Sequence, residues 1–202
     1  MNTKLQNYIQ LAGKAAAEVT QNTRNWTGFL TTASRLYRYP FPDQLMIHAQ
    51  RPKATACAEY DLWNRRMSRY IRRGSKGIGL VGISRSGYPK LRYVFDIADT
   101  GKRNEASNLF QWQHKEEYSN IVTKALEERF SISGEKGLVY QIGMLSVGLA
   151  NGYWKKHGMD IMRECEGSRL EGLGEQEASL KFRLAAAASI SYVLLSRCGF
   201  DP

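Results

Sequence analysis

Nine basic residues and no acidic one lie between Leu62 and Phe95: Arg65, Arg66, Arg69, Arg72, Arg73, Lys76, Arg85, Lys90 and Arg92. An arginine guanidinium is a planar fork of donors that grips phosphate oxygens two at a time. A cluster that neutralises several phosphates therefore binds a polyanion tightly and with strong salt dependence. Tyr88, Tyr93 and Trp112 sit in or beside the predicted strands. Rings on a sheet can hold unpaired bases by stacking, at about 1–3 kcal/mol per base. Ordinary packing across a sheet explains the same rings equally well. Bond-making chemistry is not visible, because no nucleophile, base and orienting acid can be named together.

The charge is uneven along the chain. Residues 1–110 hold 18 Lys/Arg and 7 Asp/Glu, a net of +11, whereas residues 111–202 hold 11 and 12, a net of −1. The excess of the whole chain, +10, thus sits in the first half. Such asymmetry points to a polyanionic partner. The plainer alternative is a solvated basic face that serves solubility.

The elements that must position these residues follow from periodicity. Leu5, Ile9, Ala12, Ala16 and Val19 form one helical face. Asn25 is placed to cap a second helix carrying Trp26, Phe29, Leu30, Ala33 and Leu36. Tyr39-Pro40-Phe41-Pro42 ends it. Asp43 is then expected to cap a short helix from Gln44 to Gln50, stopped by Arg51-Pro52. A further helix is predicted over about Tyr60 to Ser68. Run on to Arg73, it would gather the arginines on one arc and turn Tyr60, Trp63, Met67 and Tyr70 inward. The favoured alternative makes Tyr70 to Arg73 a strand, Gly74-Ser75-Lys76-Gly77 a hairpin loop and Ile78 onward the return strand. On either reading Trp63 belongs to the core. Ile78–Ile83 and Leu91–Ile97 are strands around the turn chemistry of Ser84 to Pro89, and Thr100–Asn108 reads as a polar loop. Helices are expected over Lys115–Phe130, Lys136–His157 and Glu177–Arg197. Leu138, Ile142, Leu145, Leu149 and Tyr153 should line one face of the second, and Gly199 should end the last.

Hydrophobic residues make up 43% of the chain and charged residues 24%, enough apolar matter for a core. No stretch reaches the roughly 20 uninterrupted apolar residues of a membrane span, and the N-terminus lacks the pattern of a secretion signal. Cys57, Cys165 and Cys198 are odd in number and widely spaced, which favours a reducing, cytoplasmic setting over a disulfide framework. Gly77-Ile78-Gly79-Leu80-Val81-Gly82 spells a dinucleotide fingerprint, but its glycines lie within the strand instead of opening a helix. The sequence contains no phosphate-binding loop, no HExxH and no CxxC, so neither cofactor nor metal is expected.

Between Trp26 and Thr100 a series of short motifs occurs in order. They are Trp26-x-x-Phe29-Leu30, Tyr37-x-Tyr39-Pro40-Phe41, Asp43-Gln44-Leu45, Ala49-Gln50-Arg51-Pro52, Leu62-Trp63-Asn64, Arg72-Arg73-Gly74-x-Lys76-Gly77-Ile78 and Val94-Phe95-Asp96-x-x-Asp99-Thr100. This run resembles the ArdC-type N-terminal domain in the form carried by very large proteins of integrative and conjugative elements. The resemblance implies a module that binds single-stranded DNA. It singles out Gln44, Gln50, Arg51 and the Arg72–Gly77 turn. In antirestriction members a zinc metallopeptidase domain follows, and in the giant proteins methylase and helicase-like domains follow. None of those motifs is present here. The end of the chain, just after a helix, is consistent with an N-terminal piece of a longer protein.

The expectation is an α+β chain: N-terminal helices, a small antiparallel sheet with a basic hairpin, and a helical C-terminal part. Residues 1–110 should form the basic domain and 111–202 a mainly helical extension. The expected function is non-catalytic DNA binding, single strands favoured, in a mobile-element protein, with no membrane partner. A docking module of a larger protein and a metal-dependent nuclease are the rivals.

Overall fold

The computed structural model describes residues 3–103, 114–168 and 170–202. The fold is α+β, with helices toward both ends of the sequence and small antiparallel sheets between them in chain order. The chain divides into two compact units, Met1–Gln111 and Trp112–Pro202.

The first unit opens with three helices, α1 (Thr3–Val19), α2 (Thr23–Arg35) and α3 (Phe41–Gln50). The cap of α2 is Asn22, not Asn25: its side chain accepts the Asn25 amide at 2.9 Å. Asn25 instead donates its side-chain amide to the Glu18 carbonyl, tying α2 to the end of α1. Pro40 is the N-cap of α3 and Pro42 lies in its first turn, where a missing N–H costs nothing. Asp43 therefore caps no helix, and it is buried.

Two small sheets follow. Strands β1 (Cys57–Glu59), β3 (Ile78–Ile83) and β4 (Pro89–Asp96) form one, in the order β1-β4-β3, all antiparallel. Strands β2 (Arg69–Ile71) and β5 (Thr100–Lys102) form the other. The favoured hairpin between Tyr70 and Ile78 does not form, because β2 pairs with β5, Tyr70 opposite Gly101, and β3 pairs with β4. The polar loop expected from Thr100 is thus a strand at its start. The tip of the β3–β4 hairpin is Ser84–Tyr88, with Gly87 at φ +81°. The helix expected from Tyr60 is short and wide, a π turn over Leu62–Arg66. It seats Trp63 in the interior, where the indole N–H donates to the Phe95 carbonyl at 2.9 Å.

Strand alternation sends Ile78, Leu80 and Val94 to one face of the first sheet. There they meet Leu36, Met46, Ile47 and Ala54, and Tyr8, Leu11 and Tyr39 close the cluster. The outer edge of β3 is met by α3. The Gln50 amide donates to the Gly79 carbonyl at 2.8 Å and accepts the Gly79 N–H at 2.9 Å. Gly79 also leaves room for the Tyr8 ring, since a Cβ there would lie 2.2 Å from it.

The second unit holds α4 (Ser119–Phe130), α5 (Leu138–Glu164) and α6 (Glu175–Cys198), with a single 3₁₀ turn before α4. Gly199, at φ +83°, ends α6 as expected. The buried side of α5 is Leu138, Gln141, Ile142, Ser146 and Ala150. Leu149 and Tyr153, expected there, are about half exposed. The Ser146 hydroxyl donates to the Ile142 carbonyl, and the Gln141 amide donates to the Thr123 and Ile132 carbonyls. The expected face therefore holds at Leu138 and Ile142 and fails toward the C-terminal half, where the buried positions are the small Ser146 and Ala150. By length and composition α6 is apolar enough to cross a membrane, although it contains Lys181 and Arg183.

Candidate nucleic-acid interface

The basic residues of the first unit fall into two groups. Arg69 is buried and donates from Nε to the Thr100 hydroxyl at 2.7 Å, joining β2 to β5. Arg92 pairs with buried Asp43 and, at 3.4 Å, with Glu59. Arg51 pairs with Asp99. These three, expected as phosphate contacts, are instead engaged by partners within the fold. The reason is common to them: each faces a carboxylate or hydroxyl brought from at least 31 residues away. Gln44 and Gln50 are likewise occupied, Gln44 donating to the Leu36 carbonyl at the end of α2 and Gln50 holding Gly79. Arg65 has Asp61 one helical turn away, at 3.6 Å, with both side chains exposed.

The second group is exposed: Arg66, Arg72, Arg73, Lys76, Arg85 and Lys90. Among the described residues none of these six pairs with a carboxylate. Four lie on two loops. Arg72, Arg73 and Lys76 are on the crossing from β2 to β3, where Gly74 takes φ +85°. Arg85 is at the β3–β4 tip.

The crossing loop is anchored from beneath. Asp96 and Asp99 cap each other's backbone in a reciprocal box over Ile97–Asp99. Asp96 also accepts the amides of Thr55 and Ala56 at 2.8 and 3.0 Å. Asp99 holds Arg51, whose other terminal nitrogen donates to the Lys76 carbonyl at 3.3 Å. The Arg72 amide donates to the Asp99 carbonyl at 2.9 Å, and the Ser75 hydroxyl to the same oxygen at 3.3 Å. Arg51 thus serves the loop as a fastener. Its charge is spent on Asp99, while Arg72, which donates to the Ala98 carbonyl at 3.4 Å, Arg73 and Lys76 stay exposed without a carboxylate partner among the described residues.

The aromatic residues divide as well. Tyr88 is 72% exposed at the hairpin tip. Tyr93 is half-buried, edge-on to Tyr8 with ring centres 6.4 Å apart, and the Lys4 ammonium lies over it at 5.2 Å. Trp112 lies outside the described residues. Tyr60, which helical spacing turned inward, is 57% exposed. The chain leaves β1 at Glu59 and turns before the π segment, so the ring stays at the surface. Strand alternation from β1 would not have found it either, since it puts residue 60 on the face of buried Ala58.

Cys57 is half-buried, and burial, with the Asp96 carboxylate beside it, pushes its thiol up to about 12. Burial, helped by the nearby Arg35 cation, lowers the His48 pKa. Among the described residues no three His, Cys, Asp or Glu side chains converge as metal ligands. No family model matches the chain, and no curated protein or solved structure matches it.

Proposed function

We propose that the first unit binds single-stranded DNA through the cations of its two loops, as a non-catalytic module of a mobile-element protein of the ArdC-like kind. The observation that carries this reading is the set of six exposed cations left without carboxylate partners among the described residues. The sequence offers Asp43, Glu59, Asp61, Asp96 and Asp99 nearby, yet the fold spends four of them on Arg51, Arg65 and Arg92 and uses Asp96 on backbone amides. Exposed cations on fastened loops suit phosphate contacts. The ordered motifs from Trp26 to Thr100 support the family reading.

Titration against single- and double-stranded oligonucleotides at several salt concentrations tests it. With about four to six phosphates contacted, the log–log slope on single strands should be about −3 to −4. A flat response would overturn the reading, and divalent-metal-dependent cleavage would replace it with the nuclease. A second reading concerns residues 112–202. There Val139, Met144, Val147, Leu149, Leu180 and Leu184 are all about half exposed, which favours protein docking by this unit.

A further inference from the structure

Strand β1 pairs with β4 only as far as Glu59 opposite Val94, so the outer edge of β4 toward Pro89 has no strand beside it. The peptide groups of Leu91 point to that edge. Gly79 gives its own N–H and carbonyl to Gln50 on the far side of β3, so its partner Tyr93 sits at a non-hydrogen-bonded position, as does Leu91 two residues on. The chain turning away at Tyr60 leaves a cleft of about 470 Å³ against this edge. It is lined by the apolar and aromatic side chains of Tyr60, Ile83, Leu91 and Tyr93 together with the charged Glu59, Asp61, Lys90 and Arg92. Tyr60 is 57% and Ile83 80% exposed.

We infer that this cleft takes one unstacked base of a bound single strand, with the Tyr60 ring as its stacking surface. The inference rests on the DNA-binding reading above and adds to it a site for the base. Four features meet here. A flat exposed ring faces apolar side chains, and every base offers a π face to such a wall. The open edge of β4 presents a peptide N–H and carbonyl, which can pair with the polar edge of a base. Glu59 and Asp61 are paired with Arg92 and Arg65, and their remaining carboxylate lone pairs can accept from an exocyclic amino group of the base. Cations flank the cleft along the chain, Arg65 and Arg66 after Asp61 and Arg85 before Lys90, where the phosphates on either side of the base would run. A duplex keeps its bases stacked and cannot fill the cleft without flipping one out.

The experiment uses the full chain and two oligonucleotides of equal length, one with bases and one abasic throughout. The parent protein should bind the base-bearing strand more tightly. Tyr60→Ala should weaken that binding by about 5- to 160-fold, the range for one stacked base. It should leave binding of the abasic strand and the salt slope unchanged. Tyr60→Phe should bind like the parent. Ile83→Ser, at another residue lining the cleft and highly exposed, provides a second variant whose loss should also be confined to the base-bearing strand. Equal losses on both strands, or no loss on either, would overturn the base site while leaving phosphate binding in place. If the parent binds neither strand, the DNA-binding reading fails and the base site with it.

Discussion

Replacing Arg92 by Met separates the two roles open to a cation on β4. The guanidinium lies on Asp43, whose side chain is only 7% exposed, while that of Arg92 is 36% exposed. Burial pushes the Asp43 carboxyl above its ordinary range, and Arg92 pulls it back. Removing one partner of a buried pair costs about 3–5 kcal/mol. Water reaches part of Arg92 and would replace some of what it gives, so ~2–3 kcal/mol is expected here. Methionine keeps the packing of the aliphatic stem. The loss should depend on pH. A carboxyl whose folded pKa lies above its unfolded value of 3.8 stabilises the fold fully below that value, and loses the contribution as pH rises through the folded pKa. Without Arg92 the folded pKa moves further up, so the deficit is largest near neutrality and shrinks toward acid. Urea denaturation followed by circular dichroism at neutral pH and in mild acid measures it. Asp43→Leu combined with Arg92→Met should recover at least half of the loss, because no unpaired carboxylate remains. The folded Arg92→Met protein should keep its salt slope on single strands, whereas losing a phosphate contact would flatten the slope by about 0.7. Parental stability together with a flattened slope would refute the structural role.

Charge reversal at the anchored loop, Arg73→Glu with Lys76→Glu, should weaken DNA binding far more than Lys155→Glu with Lys156→Glu, although both change the net charge by four units. Titration of both double variants, each folded by circular dichroism, checks this, and equal losses would mean a diffuse charge effect, since screening acts over about 8 Å at physiological salt. Gln50→Leu should destabilise the first unit by about 2 kcal/mol in urea, because it strands the N–H and carbonyl of Gly79. It should not alter the salt slope. His48, whose pKa is lowered in the fold, stabilises above its unfolded value of 6.5, and that contribution fades as pH falls toward the folded value. The fall in melting temperature from neutral pH into mild acid should therefore be shallower in His48→Gln. Cys57, with its thiol pushed up to about 12, should resist alkylation at neutral pH until the protein is unfolded, as mass spectrometry of iodoacetamide-treated protein would show.

The long helices, the glycine end of α6, the interior place of Trp63 and the turn between β3 and β4 are legible because neighbours in sequence decide them. The pairing of β2 is not. Three residues carry too little pattern to choose between a partner at Ile78 and one at Thr100, and Tyr70 settles opposite Gly101, where its ring occupies the space a side chain would need. The same limit governs the candidate site. Composition identifies a basic segment, but which cations remain outward depends on where Asp43, Asp99 and Thr100 arrive, and a linear reading treats Arg69, Arg92 and Arg73 alike. Tyr60 is hidden for a related reason: neither a helical period run on to Arg73 nor alternation from buried Ala58 places its ring outside, because its exposure depends on where the chain turns after β1.

The Gln50 amide has a consequence for the protein in a crowded solution. An outer strand with free N–H and carbonyl groups is a template on which another chain can lay a strand, and β3, Ile-Gly-Leu-Val-Gly-Ile, is apolar and uncharged in the way aggregating segments are. By filling both hydrogen-bonding positions at Gly79 with a side chain, α3 blocks strand addition near the start of that edge without adding a strand of its own. Any change that lifts Gln50 away would expose the edge, so the first sign of damage at this position is expected to be clumping during refolding.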